Sequence, residues 1–275
     1  MAIKLIALDI DGTLVNTQME VLPSSVEALD RAVEQGLQVV LSTGRPEVEC
    51  DRILEKLPCI GYVNGCTGAR VVDLKTGKLI AGAYISAEET RRLYDVLRDL
   101  DLMFCVLDPD IVMYHADKER LAYSIANATP QVADHLTRYY VGVDSMDEDL
   151  TTKDRYIKIY TPCFTQEALE AVKSRLAEEP YIVLQCAPTD MEISPPGIDK
   201  GSGLGQLAQA LGFEAQEVMA IGDRENDLGM LRYAGLPVVM ANGSDDAKAL
   251  AKYITDDNDH DGVAKAVNMV LEGTL

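Results

Sequence analysis

The 275-residue chain carries 45 acidic and 25 basic residues, a net charge of -20, with 47% apolar and 25% charged residues. This is an ordinary globular composition and excludes a disordered chain. The acidic balance argues against nucleic acid or an anionic membrane surface as partner, although a local cation can still hold a small anion. No run reaches the ~18 apolar residues of a membrane span, and the N-terminal apolar stretch is too short and too interrupted by aspartate for a secretory leader. Cys50, Cys59, Cys66, Cys105, Cys163 and Cys186 are scattered without a CxxC and read as reduced thiols of a cytoplasmic protein, not a zinc site.

In chain order, "IKLIALDI" predicts a first strand and Pro23–Gln35 a helix stopping at Gly36. "LQVVLSTG" is a second strand, Pro46 to about Leu57 a helix, and "IGYVNG" a third strand. "ARVVDLKTGKLIAGAYI" reads as a hairpin turning at "KTGK". A helix over Ala87–Leu100 follows, then the strands "LMFCVLD" and "IVMYH", a helix near Pro130–Tyr139, and "DRYIKIYT". A helix over Gln166–Ala177 and the strands "YIVLQCA" and "MEISP" complete this middle part. Helices over Lys200–Leu211, Asn226–Ala234, Asp245–Tyr253 and about Asp261–Glu272 alternate with the strands "VMAIGD" and "LPVVMAN". The outer parts alternate strand and helix, as a parallel sheet with crossover helices does. The middle implies a mixed or antiparallel sheet inserted into it, with segments at about 1–83, 84–188 and 189–275.

Asp9 and Asp11 end the first apolar run. Strand alternation places i and i+2 on one face, so the two carboxylates are expected to converge at the strand's carboxyl end, where parallel α/β sheets bind ligands. Such a pair calls for a hard cation, and Mg²⁺ suits it because it leaves positions for water and phosphate oxygen. Thr43 ends the second strand with a hydroxyl and a backbone N–H suited to a phosphate oxygen. Lys200 opens a helix, where an ammonium neutralises phosphate and holds a carboxylate ionised. Asp223 ends a later strand and completes the metal site, with Asn226 and Asp227 on the next turn and Asp227 in support.

"DIDGTL", "STGR", "DKGSGL" and "GDRENDLGML" resemble, in order, the four motifs of the haloacid dehalogenase superfamily, closest to its Cof-type (subfamily IIB) phosphatases. "YVNG", "EISPPGIDKG" and "TDDNDHDGVAKAV" are similar to the same subfamily, while "VVMANGS" departs from its usual Met-Gly-Asn-Ala around Asn242. The resemblance implies a Rossmann-like α/β core with an inserted α/β cap of the C2B type. It implies a Mg²⁺-dependent phosphatase of small phosphorylated metabolites such as sugar phosphates or phosphorylated cofactors. Asp9 is then the nucleophile that forms an aspartyl-phosphate and Asp11 the general acid and base. Thr43 and Lys200 bind the phosphoryl group, and Mg²⁺ sits on Asp9, the backbone carbonyl of Asp11, and Asp223. Gly44, Arg45, Asn64 and Asn226 join the phosphate-binding set, with Arg45 equally open to an ordinary helix-end salt bridge.

Other signals are weaker. "DNDHDG" matches half a calcium loop, but Lys265 and Asn268 stand where an oxygen ligand and a bidentate glutamate belong. It reads as a polar loop capping the last helix through Asp259 or Asp261. "KGSGLG" has its lysine ahead of the glycines and is not a Walker loop. "DSMDED" reads as a solvated loop, and His115 and Lys158 as cap-strand residues that are either structural or line a substrate entrance. A sugar-phosphate mutase shares the chemistry, and a receiver-like signalling module shares the residue types, though it needs about half the length and no cap.

Overall fold

The structure, a computed structural model, describes residues 2–110 and 113–275. They form two compact units, one from the chain ends up to Gly82 and from Ile198, the other spanning Ala83–Gly197.

The first unit is built on an eight-stranded sheet, in the order Tyr253–Ile254, Leu236–Val239, Val218–Gly222, Leu5–Leu8, Gln38–Ser42, Tyr62–Gly65, Arg70–Asp73, Lys78–Gly82. The strands as far as Tyr62–Gly65 run parallel, and the hairpin turning at Lys75–Gly77 adds an antiparallel edge. The central strand is apolar throughout because helices cover both faces. Ile6 and Leu8 pack with Leu29, Val263 and Val267, whereas Leu5 and Ala7 pack with Leu204, Leu207 and Met230. The chain builds outward from Leu5–Leu8 on one side and later adds Val218–Gly222 on the other. The strand order therefore reverses there, and a crevice opens at the carboxyl ends.

Local signals mostly hold. Pro23 starts a helix that ends at Glu34, with Gly36 at φ +90°. Asp199 caps the helix Lys200–Leu211 by accepting from the Ser202 amide at 2.7 Å. The expected helix Asp245–Tyr253 stops at Lys248 instead, because Tyr253 and Ile254 pair with Val238 and Val239 as the sheet's edge. Tertiary pairing there overrides a helical pattern.

The second unit holds a six-stranded sheet in the order Ile182–Gln185, Asp190–Ser194, Ile159–Pro162, Cys105–Leu107, Tyr114–Asp117, Tyr140–Val143. All neighbours are antiparallel except the last pair. Helices Ala87–Leu97 and Gln166–Leu176 cover one face, with Leu93, Leu97, Leu169 and Val172 against Val106, Ile159 and Ile193. The unit boundary lies at Gly197, not 188, since Asp190–Ser194 pairs between two strands of this sheet. Of the expected strand "IVMYH", residues 111 and 112 lie outside the described residues. A helix over Lys118–Asn127, capped by Asp117, and a strand over Tyr140–Val143 go beyond the sequence reading. "DSMDED" contains a short helix, Met146–Asp149, because Met146 is buried and Ser145 caps it.

Neither cap-strand candidate is a free side chain. His115 Nδ1 lies 3.1 Å from Asp149, and Lys158 Nζ forms a 2.6 Å ion pair with Glu192, both members almost fully buried. A lone buried charge is far worse than a buried pair. Lys158→Met is thus expected to destabilise the protein by about 3–5 kcal/mol, and Lys158→Met with Glu192→Leu to recover most of that loss. Urea unfolding followed by circular dichroism checks both.

Candidate active site

The central strand ends at Leu8, and Asp9 lies just beyond it, buried, its amide donating to the Ile221 carbonyl at 3.0 Å. The neighbouring strand ends at Gly222 and presents Asp223 in the same way. Lys200, fully buried at its helix N-terminus, spans the gap, with Nζ 2.5 Å from Asp9 Oδ1 and 2.6 Å from Asp227 Oδ1. Asp227 is spent on support, its Oδ2 accepting from the amides of Asp223 at 2.8 Å and Arg224 at 3.1 Å. Asp223 Oδ1 accepts from the Thr13 hydroxyl at 3.1 Å. Thr13 escaped the sequence reading. Its signal was a hydroxyl directly after the glycine of "DGT".

Carboxylate oxygens of Asp9, Asp223 and Asp227 lie within 4.8 Å of one another. Three carboxylates around one ammonium leave an excess of negative charge. Burial, and after it the Asp227 charge, push the Asp9 carboxyl well above its ordinary range, although Lys200 opposes them. Burial and Asp227 push Asp223 up to about 6. Burial alone would lower the Lys200 ammonium, but Asp227 and Asp9 outweigh it and raise it. Among the described residues nothing donates a hydrogen bond to the buried Asp223 Oδ2, which forms an ion pair with the exposed Arg224 guanidinium at 3.3 Å. An unhydrogen-bonded buried carboxylate oxygen beside two more carboxylates is a donor set for a hard divalent cation.

Asp11 does not converge on Asp9 by strand alternation, because the ladder ends and the chain turns, with Leu14 N donating to Ile10 O at 3.0 Å and Val15 N to the same carbonyl at 3.0 Å. Its side chain is half exposed and takes a two-pronged grip from Arg45, Nε at 3.1 Å and Nη2 at 2.5 Å. Arg45 is thus a salt-bridge partner of Asp11. Burial disfavours the guanidinium charge, yet Asp11 raises the Arg45 pKa overall. Thr43 is buried with its amide spent on the Asn64 carbonyl at 3.0 Å, and its hydroxyl oxygen accepts from the Arg45 amide at 3.2 Å, so what remains for a ligand is the hydroxyl's own donor. Gly44 is half-buried in the bend after it.

Asn64 is fully buried and donates its side-chain amide to Ser42 Oγ at 2.9 Å and the Lys200 carbonyl at 2.8 Å, so it positions the lysine's helix. A Cβ on Gly203 would lie 2.1 Å from Asn64 Oδ1, which explains a glycine there. Asn226 sits half-buried in the turn Glu225–Asp227. The "VVMANGS" segment retains a contact to the site: Asn242 Nδ2 donates to the Gly12 carbonyl at 2.8 Å, and Ser244 N donates to the Asp223 carbonyl at 2.8 Å. In "DNDHDG", Asp261 takes the helix N-cap position without a side-chain cap bond, because its carboxylate accepts from Ser24 instead.

The family model of haloacid dehalogenase-like hydrolases matches residues 6–267. The chain is 29% identical over 265 residues to the 5-amino-6-(5-phospho-D-ribitylamino)uracil phosphatase YcsE of Bacillus subtilis, covering 96% of this chain and 94% of that one. It is 26% identical to the pyridoxal phosphate phosphatase YbhA of Escherichia coli, covering 97% and 98%. A solved haloacid dehalogenase-like hydrolase from Bacteroides thetaiotaomicron superposes with a TM-score of 0.83 at 28% identity, covering 98% of this chain and 99% of that one. These matches define a hydrolase of mixed α/β fold. The chain belongs to the haloacid dehalogenase-like hydrolases, in their subfamily IIB.

Gly12 adopts φ +87°, and a Cβ there would lie 2.5 Å from Asp223 Oδ2, whereas Gly36 at φ +90° has open space around it. Gly36→Ala is expected to cost only the left-handed backbone term, about 1–2 kcal/mol. Gly12→Ala should cost clearly more, and comparing the two by chemical denaturation isolates the crowding at Asp223.

Proposed function

We propose that the protein is a Mg²⁺-dependent phosphomonoester hydrolase acting on small phosphorylated metabolites through an aspartyl-phosphate on Asp9. The observation that carries this reading is the buried Asp9–Lys200–Asp227 bridge beside the unhydrogen-bonded oxygen of Asp223. Relatives named as phosphatases of a ribityl phosphate and of pyridoxal phosphate support the substrate class. Asp9, Asp223 and the backbone carbonyl of Asp11 would hold Mg²⁺, with Asp227 in support. Bound there, the ion supplies charge neutralisation for the carboxylates and the phosphoryl oxygens.

Lys200 holds one oxygen of Asp9 and leaves the other for attack on phosphorus. The Asp9 O–P bond forms as the ester P–O bond breaks, and protonated Asp11 gives its proton to the departing oxygen. Water then attacks phosphorus and gives its proton to Asp11 as the Asp9 O–P bond breaks. Thr43 and Lys200 orient the phosphoryl group and offset its charge. Arg45 must share Asp11 with this cycle, and a phosphate is the anion that draws its guanidinium away. Among the described residues no helix is long and apolar enough to cross a membrane, and all six cysteines are free thiols, which supports a cytoplasmic site of action.

A phosphate-release screen over phosphomonoesters tests the reading. Mg²⁺ should support turnover, EDTA should abolish it, and Ca²⁺ should substitute poorly because it fits octahedral geometry badly. Full turnover in EDTA would refute it.

Asp9→Asn should eliminate turnover and any phosphoenzyme. Asp11→Asn should lose about 10²–10⁴ in rate yet accumulate a phosphoryl adduct on the peptide containing Asp9 when an aryl phosphate is used. Acid-quenched mass spectrometry reads both outcomes.

A further inference from the structure

The loop that follows Asp9 is not held by its own hydrogen bonds alone. A series of side chains from residues 242–261 grips its backbone from one side. Asn242 Nδ2 donates to the Gly12 carbonyl at 2.8 Å, and Asn242 Oδ1 accepts from the Asn258 amide at 3.3 Å, which fixes the orientation of that side-chain amide. Asn258 Nδ2 donates in turn to the Val15 carbonyl at 2.9 Å. Further along, Asp259 Oδ1 accepts from the Thr17 amide at 2.9 Å and hydroxyl at 3.0 Å, and Asp261 accepts from Ser24. The carboxylates of "DNDHDG" are thus turned onto protein donors. Asn242 and Asn258 seize the two carbonyls that bracket Thr13, whose hydroxyl holds Asp223.

We propose that Asn242 and Asn258 are positioning residues for the transfer step. They fix the Gly12–Val15 backbone so that the Asp11 peptide and the Thr13 hydroxyl stay in register with Asp9 and Asp223. The inference rests on the hydrolase reading above. Asn242 is exposed, and its bond to Gly12 adds little to global stability, as solvent replaces it readily. Its effect falls on geometry, where a displacement of about 1 Å can lower a rate by about 10²-fold. Thr17–Asp259 lies further along the loop and Ser24–Asp261 at the start of the helix from Pro23, both beyond the Gly12–Val15 backbone.

The test compares Asn242→Ala, Asn258→Ala, their double variant and Ser24→Ala in the full chain. The expected result is a kcat about tenfold lower in each asparagine variant with KM little changed, and a double variant well short of the product of the two losses because they share one network. The Mg²⁺ concentration that half-saturates the thermal shift of the substrate-free protein should rise in the same variants. Ser24→Ala should leave kcat and the Mg²⁺ response intact. The proposal is overturned if both asparagine variants keep wild-type kcat and Mg²⁺ response, or if Ser24→Ala slows turnover equally. Should the wild type release no phosphate from any ester, the hydrolase reading fails by itself, and the Mg²⁺ thermal shifts still decide the positioning role.

Discussion

Three buried carboxylates, Asp9, Asp223 and Asp227, lie together with one buried ammonium that binds Asp9 and Asp227, and the architecture around them answers that imbalance. Charges so close in a poorly solvated place repel strongly unless cations or hydrogen bonds offset them. Asp227 is the member fully provided for, with the Lys200 ammonium on one oxygen and two amides on the other. Asp223 is provided for on one oxygen by Thr13. Asp9 shares Lys200. The remaining negative potential therefore concentrates at Asp9 and the second oxygen of Asp223, the two groups that end adjacent parallel strands.

Backbone economy makes that concentration possible. A parallel sheet covered on both faces lets its strands end together at a reversal in strand order, so two carboxylates far apart in sequence meet without any bending of the chain. The Lys200 helix then has to enter at the right height. Asn64, on a third strand, settles this by binding the Lys200 carbonyl, and glycine at 203 lets the helix approach closely enough for that contact. A buried amide with its donors used inside the protein works on the lysine at one remove.

The legible part of the sequence was whatever local pattern governs. The apolar strands, the Pro23 helix start and the Lys200 helix were visible because periodicity, caps and glycine stops act within a few residues. Asp9, Lys200, Asp223 and Asp227 were visible because each sits at the end of such an element. What stayed hidden depends on partners distant in sequence. Nothing near Tyr253 announces that it will pair with Val238, and nothing near Asn64 announces the carbonyl of Lys200. The strand "MEISP" was read within the middle part, and its pairing between two strands of the second unit's sheet agrees with that. Asp117 as the cap of Lys118–Asn127 was a local signal present and unused.

The separation of Asp11 from the trio has a physical logic of its own. A fourth carboxylate inside the cluster would add to the repulsion and compete for the same cation and the same lysine. Placed half in solvent and gripped by Arg45, its charge is offset at little desolvation cost, and its carboxyl stays within the same loop as Asp9. A residue that must give a proton and then take one needs solvent contact and a changeable partner, whereas a residue that attacks needs a fixed direction. Asp9 has the fixed direction, from a ladder hydrogen bond on one side and a buried lysine on the other. Under the proposed mechanism two aspartates one residue apart divide the work, because the chain turns just past the strand's end and each falls into a different solvent.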